Sequence, residues 1–196
     1  MTEPAAAAPV RGPDGLPRCP WALASDDYRS YHDSEWGRPV RGDAGIFERL
    51  SLEAFQSGLS WLIILRKREN FRAAFAGFDP RAVAAFGPRD EARLLADPGI
   101  VRNRAKIRAV IGNARAALAV PGGLAALVWR YAGPPEAAPV TLADVPPWTP
   151  ASRECARELR KLGFTFVGPV TVQATLQACG VVDGHLAGCF RRGFWH

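Results

Sequence analysis

The sequence predicts an all-α fold, and both its hydrophobic pattern and its turn residues indicate it. Apolar residues recur at the 3.6-residue period of a helix, whereas the alternation typical of strands is scarce. Proline and glycine mark the ends of the periodic segments. A chain of 196 residues, 48% of them hydrophobic, is long enough to bury one core. We therefore expect one globular domain over residues 19–196, after a disordered tail over residues 1–18 that is rich in alanine, proline and glycine.

Capping and turn residues place the ends of the expected helices. Ser60 and Ser152 occupy N-cap positions, and Asp79 precedes a proline suited to a first helical position. The stretch from Gly133 to Pro150 contains six prolines, which is typical of a loop. The expected helices cover residues 44–58, 61–75, a short segment from 80, 89–96, 103–118, 124–131, 152–162 and 170–179, with residues 164–168 extended.

Composition and charge narrow the classes of function. No apolar run approaches the roughly 20 residues needed to cross a bilayer, and the first residues lack a secretory signal, so we expect a cytoplasmic protein without a membrane partner. The net charge of +6 and the pI near 9.6 favour a polyanionic partner such as nucleic acid. Four cysteines in a reducing compartment indicate metal binding or burial, and Cys155 and Cys179 fall in apolar segments as buried thiols do.

Glu53 stands where the helical pattern borders the core. In a helix over residues 44–58 it follows Ile46 by seven residues and Leu50 by three, at the edge of the apolar face. A carboxylate that faces a core must be neutralised, paired or given a ligand, because burying it unpaired costs several kcal/mol. Two interpretations stay open: a structural ion pair with an arginine, or a carboxylate that serves a binding site.

Aromatic residues flank Glu53 in the sequence. A flat cationic ring, such as an alkylated purine, can stack on such side chains, and stacking contributes about 1–3 kcal/mol per base. A single tryptophan is more often part of a core, but several rings around a misplaced carboxylate indicate a binding slot. The candidates are Trp21, Tyr28, Tyr31, Trp36 and Trp61.

Two cysteines and two histidines form a candidate metal-binding set. Twelve residues separate Cys19 from His32, and three separate His185 from Cys189, a spacing that places the second pair on one side of a helical turn. Two thiolates and two imidazoles complete a tetrahedral zinc shell with no open position, so such a zinc would be structural. The alternative is ordinary burial, with the histidines bonded to backbone carbonyls.

A glycine-containing turn joins two of the expected helices. Residues 97–101 read Asp-Pro-Gly-Ile-Val, and basic residues follow. Glycine lets the backbone approach a ligand closely, and N–H groups at the start of a helix can hold a phosphate oxygen. The turn therefore predicts a helix-hairpin-helix DNA clamp, with backbone contacts from Gly99, Val101, Arg102 and Arg104, although such turns also connect helices that bind nothing.

These motifs resemble a known family, the type I 3-methyladenine DNA glycosylases of the helix-hairpin-helix superfamily. The likeness covers about Cys19 to Cys189, nearly the whole chain. Its matching segments, in chain order, are 31–37, 52–53, 58–61, 67–72, 99–102, 111–115, 163–168 and 177–180.

The resemblance implies a glycosylase-like helical fold whose N- and C-terminal segments are joined by one structural zinc ion. The implied ligands are Cys19, His32, His185 and Cys189. The hairpin lobe would span about residues 44–132, and the zinc-containing lobe about 19–43 and 150–190. The implied partner is duplex DNA that contains alkylated adenine, bound by a monomer.

The resemblance also implies a base pocket and its chemistry. Glu53, the catalytic group, and Tyr31 would hydrogen-bond the methylated adenine, while Trp61 would stack on it. Tyr28 would lie close by, and Trp21 and Trp36 also match positions of the family. The pocket would hold a flipped-out nucleotide whose glycosidic bond is already weakened by methylation.

Many relatives in the superfamily place an aspartate beyond the hairpin, and this chain does not. Counting on from Gly99 reaches Ala119 and Val120, with neither an acid nor a lysine nearby. The type I family also lacks that aspartate, so we expect narrow specificity and base removal without strand cleavage. Two alternatives stay open. A non-catalytic DNA-binding module would leave Glu53 and the rings without a task, and a zinc hydrolase would need an open metal position.

Overall fold

The computed structural model describes residues 8–133 and 137–194, and helices form most of the regular structure in these ranges. The helices are α1 Asp26–Ser34, α2 Asp43–Gln56, α3 Trp61–Ala74, α4 Pro80–Ala84, α5 Pro88–Ala96, α6 Arg104–Leu118, α7 Leu124–Trp129, α8 Pro150–Lys161 and α9 Pro169–Ala178. The expected helical class is confirmed. None of the helices in these ranges is long and apolar enough to cross a bilayer.

A short β-hairpin replaces part of the expected disordered tail. Strands β1 (Val10–Arg11) and β2 (Pro17–Arg18) pair antiparallel. The buried guanidinium of Arg18 holds this hairpin, because it donates to Asp14 at 2.7 Å and 2.6 Å and to Asp33 at 2.7 Å. The prediction of disorder is therefore wrong for residues 8–18, and residues 1–7 lie outside the described part of the chain.

Two helices differ from the prediction: α1 was not expected, and α8 begins earlier than expected. Helix α1 is absent from the expected set, although Ser25 caps it by accepting a hydrogen bond from the Tyr28 amide at 3.2 Å. Helix α8 begins at Pro150 and is capped by Thr149, whose Oγ1 accepts from the Ser152 amide at 3.2 Å, so Ser152 is not the cap. Proline at the first helical position suits this earlier start, because its missing N–H has no intrahelical partner to lose.

The segment 164–168 is irregular, and one of its residues has a left-handed backbone. Phe166 adopts φ 56°, a conformation that costs a non-glycine residue on the order of 1 kcal/mol. The buried side chain of Asn113 in α6 holds the segment, since its Nδ2 donates to the Thr165 carbonyl at 3.0 Å and its Oδ1 accepts from the Thr165 amide at 2.8 Å. A tertiary contact therefore overrides the extended conformation that the sequence pattern favours.

Contacts within the chain divide it into two units. The first consists of residues up to 39, 132–147 and those from 176 onward, and the second consists of residues 40–131 and 148–175. The first unit contains a hydrophobic cluster of Cys19, Leu186 and Cys189, packed against Trp21, Trp36, Leu142, Val145 and Phe190. The second contains the buried rings of Phe47, Phe55, Phe71, Phe75 and Phe78.

The units differ from the expected lobes at residues 40–43 and, over a longer stretch, at residues 150–175. Residues 150–175 were expected with the zinc-containing lobe, but they group with the hairpin helices. The Asn113–Thr165 pair is one reason, and another is Glu158 of α8, which accepts from the Tyr131 hydroxyl at 2.6 Å and from Arg130 at 2.5 Å. Hydrophobic periodicity does not report such pairings between distant residues.

Replacing Asn113 with alanine should destabilise the fold more than loss of an ordinary helix cap does. Asn113→Ala removes both hydrogen bonds to the backbone of Thr165, each of which contributes about 0.5–1.5 kcal/mol, and leaves a gap where the buried side chain stood. Asn103→Ala is the matched control, because Asn103 caps α6 through the Lys106 amide and loss of a cap costs about 1 kcal/mol. Urea denaturation should show the larger loss of unfolding free energy for Asn113→Ala. Equal losses would contradict a stabilising role for the two Asn113–Thr165 hydrogen bonds.

Candidate active site

Glu53 lies on α2, in the second unit. Its neighbours Leu52, Ala54 and Phe55 are buried, and Glu53 is only 8% exposed. Among the described residues, Glu53 takes part in no ion pair and no hydrogen bond. The structural ion pair with an arginine is therefore not observed within the described chain, and the carboxyl group is left for another partner.

Burial determines the protonation of this carboxyl group. Desolvation raises the pKa of Glu53 from its ordinary value of 4.5 to about 8. At neutral pH the free protein therefore holds Glu53 mostly in its neutral form. A carboxyl with a strongly raised pKa and no structural partner is typical of a functional site.

A tight turn connects Glu53 to Trp61. Helix α2 ends at Gln56 and α3 begins at Trp61, with Gly58 between them at φ 80°. The Leu59 amide donates to the Gln56 carbonyl at 2.7 Å, and the Gln56 side chain donates to the Leu59 carbonyl at 3.2 Å. The two predicted pocket residues of this unit are thus carried by consecutive helices and a short, bonded turn.

Lys106 is one of the basic residues after the hairpin turn that were predicted to contact phosphate, and the structure buries it instead. It is 7% exposed, and its ammonium donates to the carbonyls of Phe55 at 2.8 Å and Ser57 at 2.5 Å. Burial lowers the pKa of Lys106. One sequence signal was present: Lys106 precedes Val110 by four residues and therefore lies on the inward face of α6.

The predicted hairpin is present, with α5 and α6 as its helices. Glu91 of α5 accepts from Arg104 at 2.7 Å and from Arg108 at 2.9 Å, so it joins the two helices. Arg104 is therefore already paired, whereas Arg102 is exposed and forms no ion pair within the described ranges.

Gly99 serves the protein itself in this hairpin. Its amide donates to Asp97 Oδ1 at 2.7 Å, so this N–H already has a partner. A Cβ at position 99 would lie 2.9 Å from Asp97 Oδ1 and 3.1 Å from Asn70 Cβ. Close packing against Asp97 and Asn70 therefore requires glycine at position 99. Val101, at the end of the turn, is partly exposed.

Three of the four predicted metal ligands meet in the first unit. The ligand atoms of Cys19, His32 and Cys189 lie within 4.8 Å of one another, and all three side chains are buried. The His185 ring centroid lies 5.1 Å from that of His32, and its Nε2 is buried without a hydrogen-bond partner. The segment around His185 is a loop, so the helical turn expected between His185 and Cys189 is wrong.

Carboxylates orient both histidines of this set. Asp33 Oδ1 lies 2.8 Å from Nδ1 of His32, and Asp183 Oδ1 lies 2.7 Å from Nδ1 of His185. Nδ1 of each ring is thereby occupied and Nε2 is the nitrogen that faces the other members of the set, the arrangement found when histidine binds a metal; Nε2 of His32 lies 3.4 Å from Cys189 Sγ. Hydrogen bonds with Cys19 and with His32 lower the pKa of Cys189, which favours its thiolate.

Trp21 and Trp36 pack around this Cys/His set. Their rings pack edge to face with centroids 5.0 Å apart, and the Trp36 ring centroid lies 4.5 Å from that of His185. Trp21 also contacts Tyr28 at 5.8 Å and Tyr31 at 6.5 Å. These contacts make both tryptophans partly buried packing residues of the first unit. The base-binding roles of Trp21, Trp36 and the two tyrosines stay predictions.

Comparison with known proteins identifies the family. A model of the methyladenine glycosylase family matches residues 21–192. The chain belongs to this family. DNA-3-methyladenine glycosylase 1 of Escherichia coli (strain K12) is 42% identical over 179 residues, which cover 89% of this chain and 96% of that protein. The resemblance found in the motifs is confirmed.

Solved structures of methyladenine glycosylases share the fold. A crystal structure of 3-methyladenine DNA glycosylase I is 44% identical, with a TM-score of 0.84, and covers 88% of this chain and 98% of its own. The Staphylococcus aureus enzyme, solved to explain its recognition of 3-methyladenine, is 33% identical with a TM-score of 0.84 and coverages of 88% and 95%. The glycosylase-like helical fold is thereby established.

Glu53→Gln should make the stability of the protein less dependent on pH. Below about pH 4.5 the Glu53 carboxyl is protonated in both the folded and the unfolded state, so burial of its charge costs nothing. As the pH rises to about 8 the unfolded state loses this proton first, and the free energy of unfolding falls by about 1.4 kcal/mol per pH unit. Glutamine removes this fall, so urea denaturation at pH 8 should show a more stable variant.

Glu48→Gln is the control for this stability measurement. Glu48 also lies on α2, but its carboxylate pairs with Arg72 at 2.7 Å, so neutralising it should not stabilise the protein. A Glu53→Gln protein with the same pH dependence as the parent would contradict burial of the Glu53 carboxyl.

Proposed function

We propose that this chain is a DNA-3-methyladenine glycosylase, which hydrolyses the N-glycosidic bond of 3-methyladenine in alkylated duplex DNA. It acts as a monomer and leaves the DNA strand uncut. Family membership supports the reaction class, since the similar enzymes are named for this base. The observation that carries the proposal is the buried, unpaired Glu53 carboxyl with its pKa near 8.

Such a carboxyl fits a cationic ligand with hydrogen-bond donors. Methylation at N3 gives the adenine ring a positive charge, and a nearby cation favours the ionised form of a carboxyl. Beside a flipped-out 3-methyladenine, Glu53 would therefore lose its proton to solvent, and the resulting carboxylate would accept charge-assisted hydrogen bonds from the base. Normal adenine is neutral and offers less compensation for burying that charge, which gives a basis for rejecting it.

The weakness of the glycosidic bond explains why the catalytic machinery is small. A positively charged purine leaves readily, so little acid assistance is needed, and water then attacks the sugar carbon. Glu53 stabilises the departing base in a site from which most water is excluded. Trp61 supplies the stacking surface from the start of α3, and Tyr31, with Tyr28, supplies polar contacts to the base.

The hairpin holds the DNA backbone in this proposal. The partly exposed Val101 and the exposed Arg102 stand at the turn that precedes α6, where free amides and a cation can meet phosphate oxygens. Gly99 shapes the turn through Asp97, and Arg104 contributes positive charge while it is paired with Glu91.

The proposal includes one structural zinc ion, held by Cys19, His32, Cys189 and His185. The donor set fits zinc, because two thiolates and two imidazoles are a common structural shell. The buried Nε2 of His185 has no hydrogen-bond partner, and a metal would satisfy it. When bound, the ion would hold the first and last parts of the chain together and take no part in the reaction.

Release of free base from methylated DNA tests the function. Chromatography should show 3-methyladenine released faster than 7-methylguanine, with no strand break before alkali treatment. Glu53→Gln should slow release by about 10²-fold or more, because the carboxylate acts on the charged leaving group. Glu48→Gln should stay close to the parent rate, since Glu48 pairs with Arg72. Duplex binding without any released base would instead support a non-catalytic DNA-binding module.

Removal of a candidate ligand tests the zinc. Elemental analysis of the purified protein should find zinc in equal amount to the chain, and Cys19→Ala should lose it and melt at a lower temperature. Cys155→Ala is the matched control, because Cys155 is equally buried but lies outside the Cys/His set. A Cys19→Ala protein that keeps its zinc and its Tm would overturn the assignment.

A further inference from the structure

Lys106 connects the hairpin to the helix that carries Glu53. It lies on α6, the second helix of the hairpin, and its ammonium donates to the carbonyls of Phe55 and Ser57 at the end of α2. Phe55 follows Glu53 by two residues, and Ser57 begins the turn that leads to Trp61. A DNA-binding element and the base-binding element thus share one buried contact.

The chemistry of this contact is that of a helix cap. The last carbonyls of a helix have no intrahelical donors and carry partial negative charge, so a cation placed there stabilises the helix end. Lys106 has no carboxylate partner among the described residues, and its ammonium donates to two backbone carbonyls. Its position is therefore set by the path of the turn after Glu53.

A second lysine makes the reciprocal contact. Lys67 of α3 donates to the carbonyls of Pro98 at 2.9 Å and Gly99 at 3.2 Å, in the turn of the hairpin. The hairpin is thus bonded to α2 through Lys106 and to α3 through Lys67. These are the two helices that carry Glu53 and Trp61.

We propose that Lys106 is a positioning residue for base excision, which holds the turn after α2 so that the hairpin and the Glu53 carboxyl keep a fixed separation. This rests on the proposed function. When the hairpin is seated on the DNA backbone, that separation sets where Glu53 stands relative to the flipped base. A displacement of about 1 Å in such a site can lower a rate about 10²-fold.

Lys106 does not itself act as a phosphate contact. Lys106 is 7% exposed and its ammonium faces backbone carbonyls, whereas Arg102, in the turn before α6, is exposed. Loss of Lys106 should therefore change the rate of the bound complex more than its affinity for DNA. A lost phosphate contact would do the reverse.

The test compares two variants that each remove one cation from α6. Lys106→Met loses the contact at the turn. Arg115→Met is matched to it, because Arg115 likewise donates to two backbone carbonyls, those of Ala84 and Phe86 at 3.0 Å, but away from α2. The measurements are the single-turnover rate of 3-methyladenine release at saturating enzyme, and the Kd for an undamaged duplex at fixed salt concentration.

The expected result is a rate loss specific to Lys106. Lys106→Met should lower the saturating rate by about 10-fold to 10²-fold with less than about a threefold change in Kd, and Lys106→Arg, which keeps donors, should recover part of the rate. Arg115→Met should keep the parent saturating rate. A Lys106→Met loss that appears only in Kd, or that Arg115→Met shares, overturns the proposal.

Hydrogen exchange examines the same contact without any reaction. The amides of residues 57–60 should exchange faster in Lys106→Met than in the parent or in Arg115→Met, because the turn has lost its anchor. Unchanged exchange there overturns the positioning role even if the rate falls. If the parent protein releases no base at all, the proposed function fails, while the exchange result still decides whether Lys106 holds the turn.

Discussion

The burial of a carboxyl group without a charged partner is the constraint around which the second unit is built. Glu53 lies among packed apolar side chains of α2, and nothing in the described chain neutralises it. A fold keeps such a group only if other contacts offset the cost of its desolvation. The buried phenylalanine rings of this unit and the capped end of α2 supply those contacts.

Lys106, a buried cation bonded to the end of α2, serves a different purpose. An ammonium paired with Glu53 would remove the cost of burial and would also remove the free carboxyl. Lys106 instead satisfies two backbone carbonyls two and four residues beyond Glu53. The helix end is stabilised, and the carboxyl keeps its raised pKa near 8. The carbonyls at the end of α2 bind Lys106 and stabilise the helix, while the Glu53 carboxyl on the same helix is left to bind a ligand.

The sequence predicted the helices and the important side chains better than it predicted their partners. Periodicity located α2 and α6 within a few residues, because each has a continuous apolar face. It also placed Glu53 against the core. The sequence pattern could not exclude an ion pair for Glu53, since whether an arginine reaches it depends on distant parts of the chain.

The errors share a cause, which is pairing between residues far apart in sequence. The β1–β2 hairpin was missed because Arg18 is held partly by Asp33, and Phe166 was given an extended conformation because the clamp by Asn113 is 52 residues away from Thr165. Lys106 is one of the basic residues that follow the hairpin turn, and its burial depends on the carbonyls of Phe55 and Ser57, which lie 51 and 49 residues earlier in the sequence. The metal set was found because cysteine and histidine are distinctive residue types, although spacing alone left ordinary burial open.

The order in which the chain leaves the ribosome gives the Cys/His set a further consequence. The first unit draws on residues near both termini, and Cys19 and His32 must wait for Cys189 to be synthesised. The amino-terminal segment therefore stays incomplete during synthesis, exposed to chaperones and proteases, until Cys189 emerges.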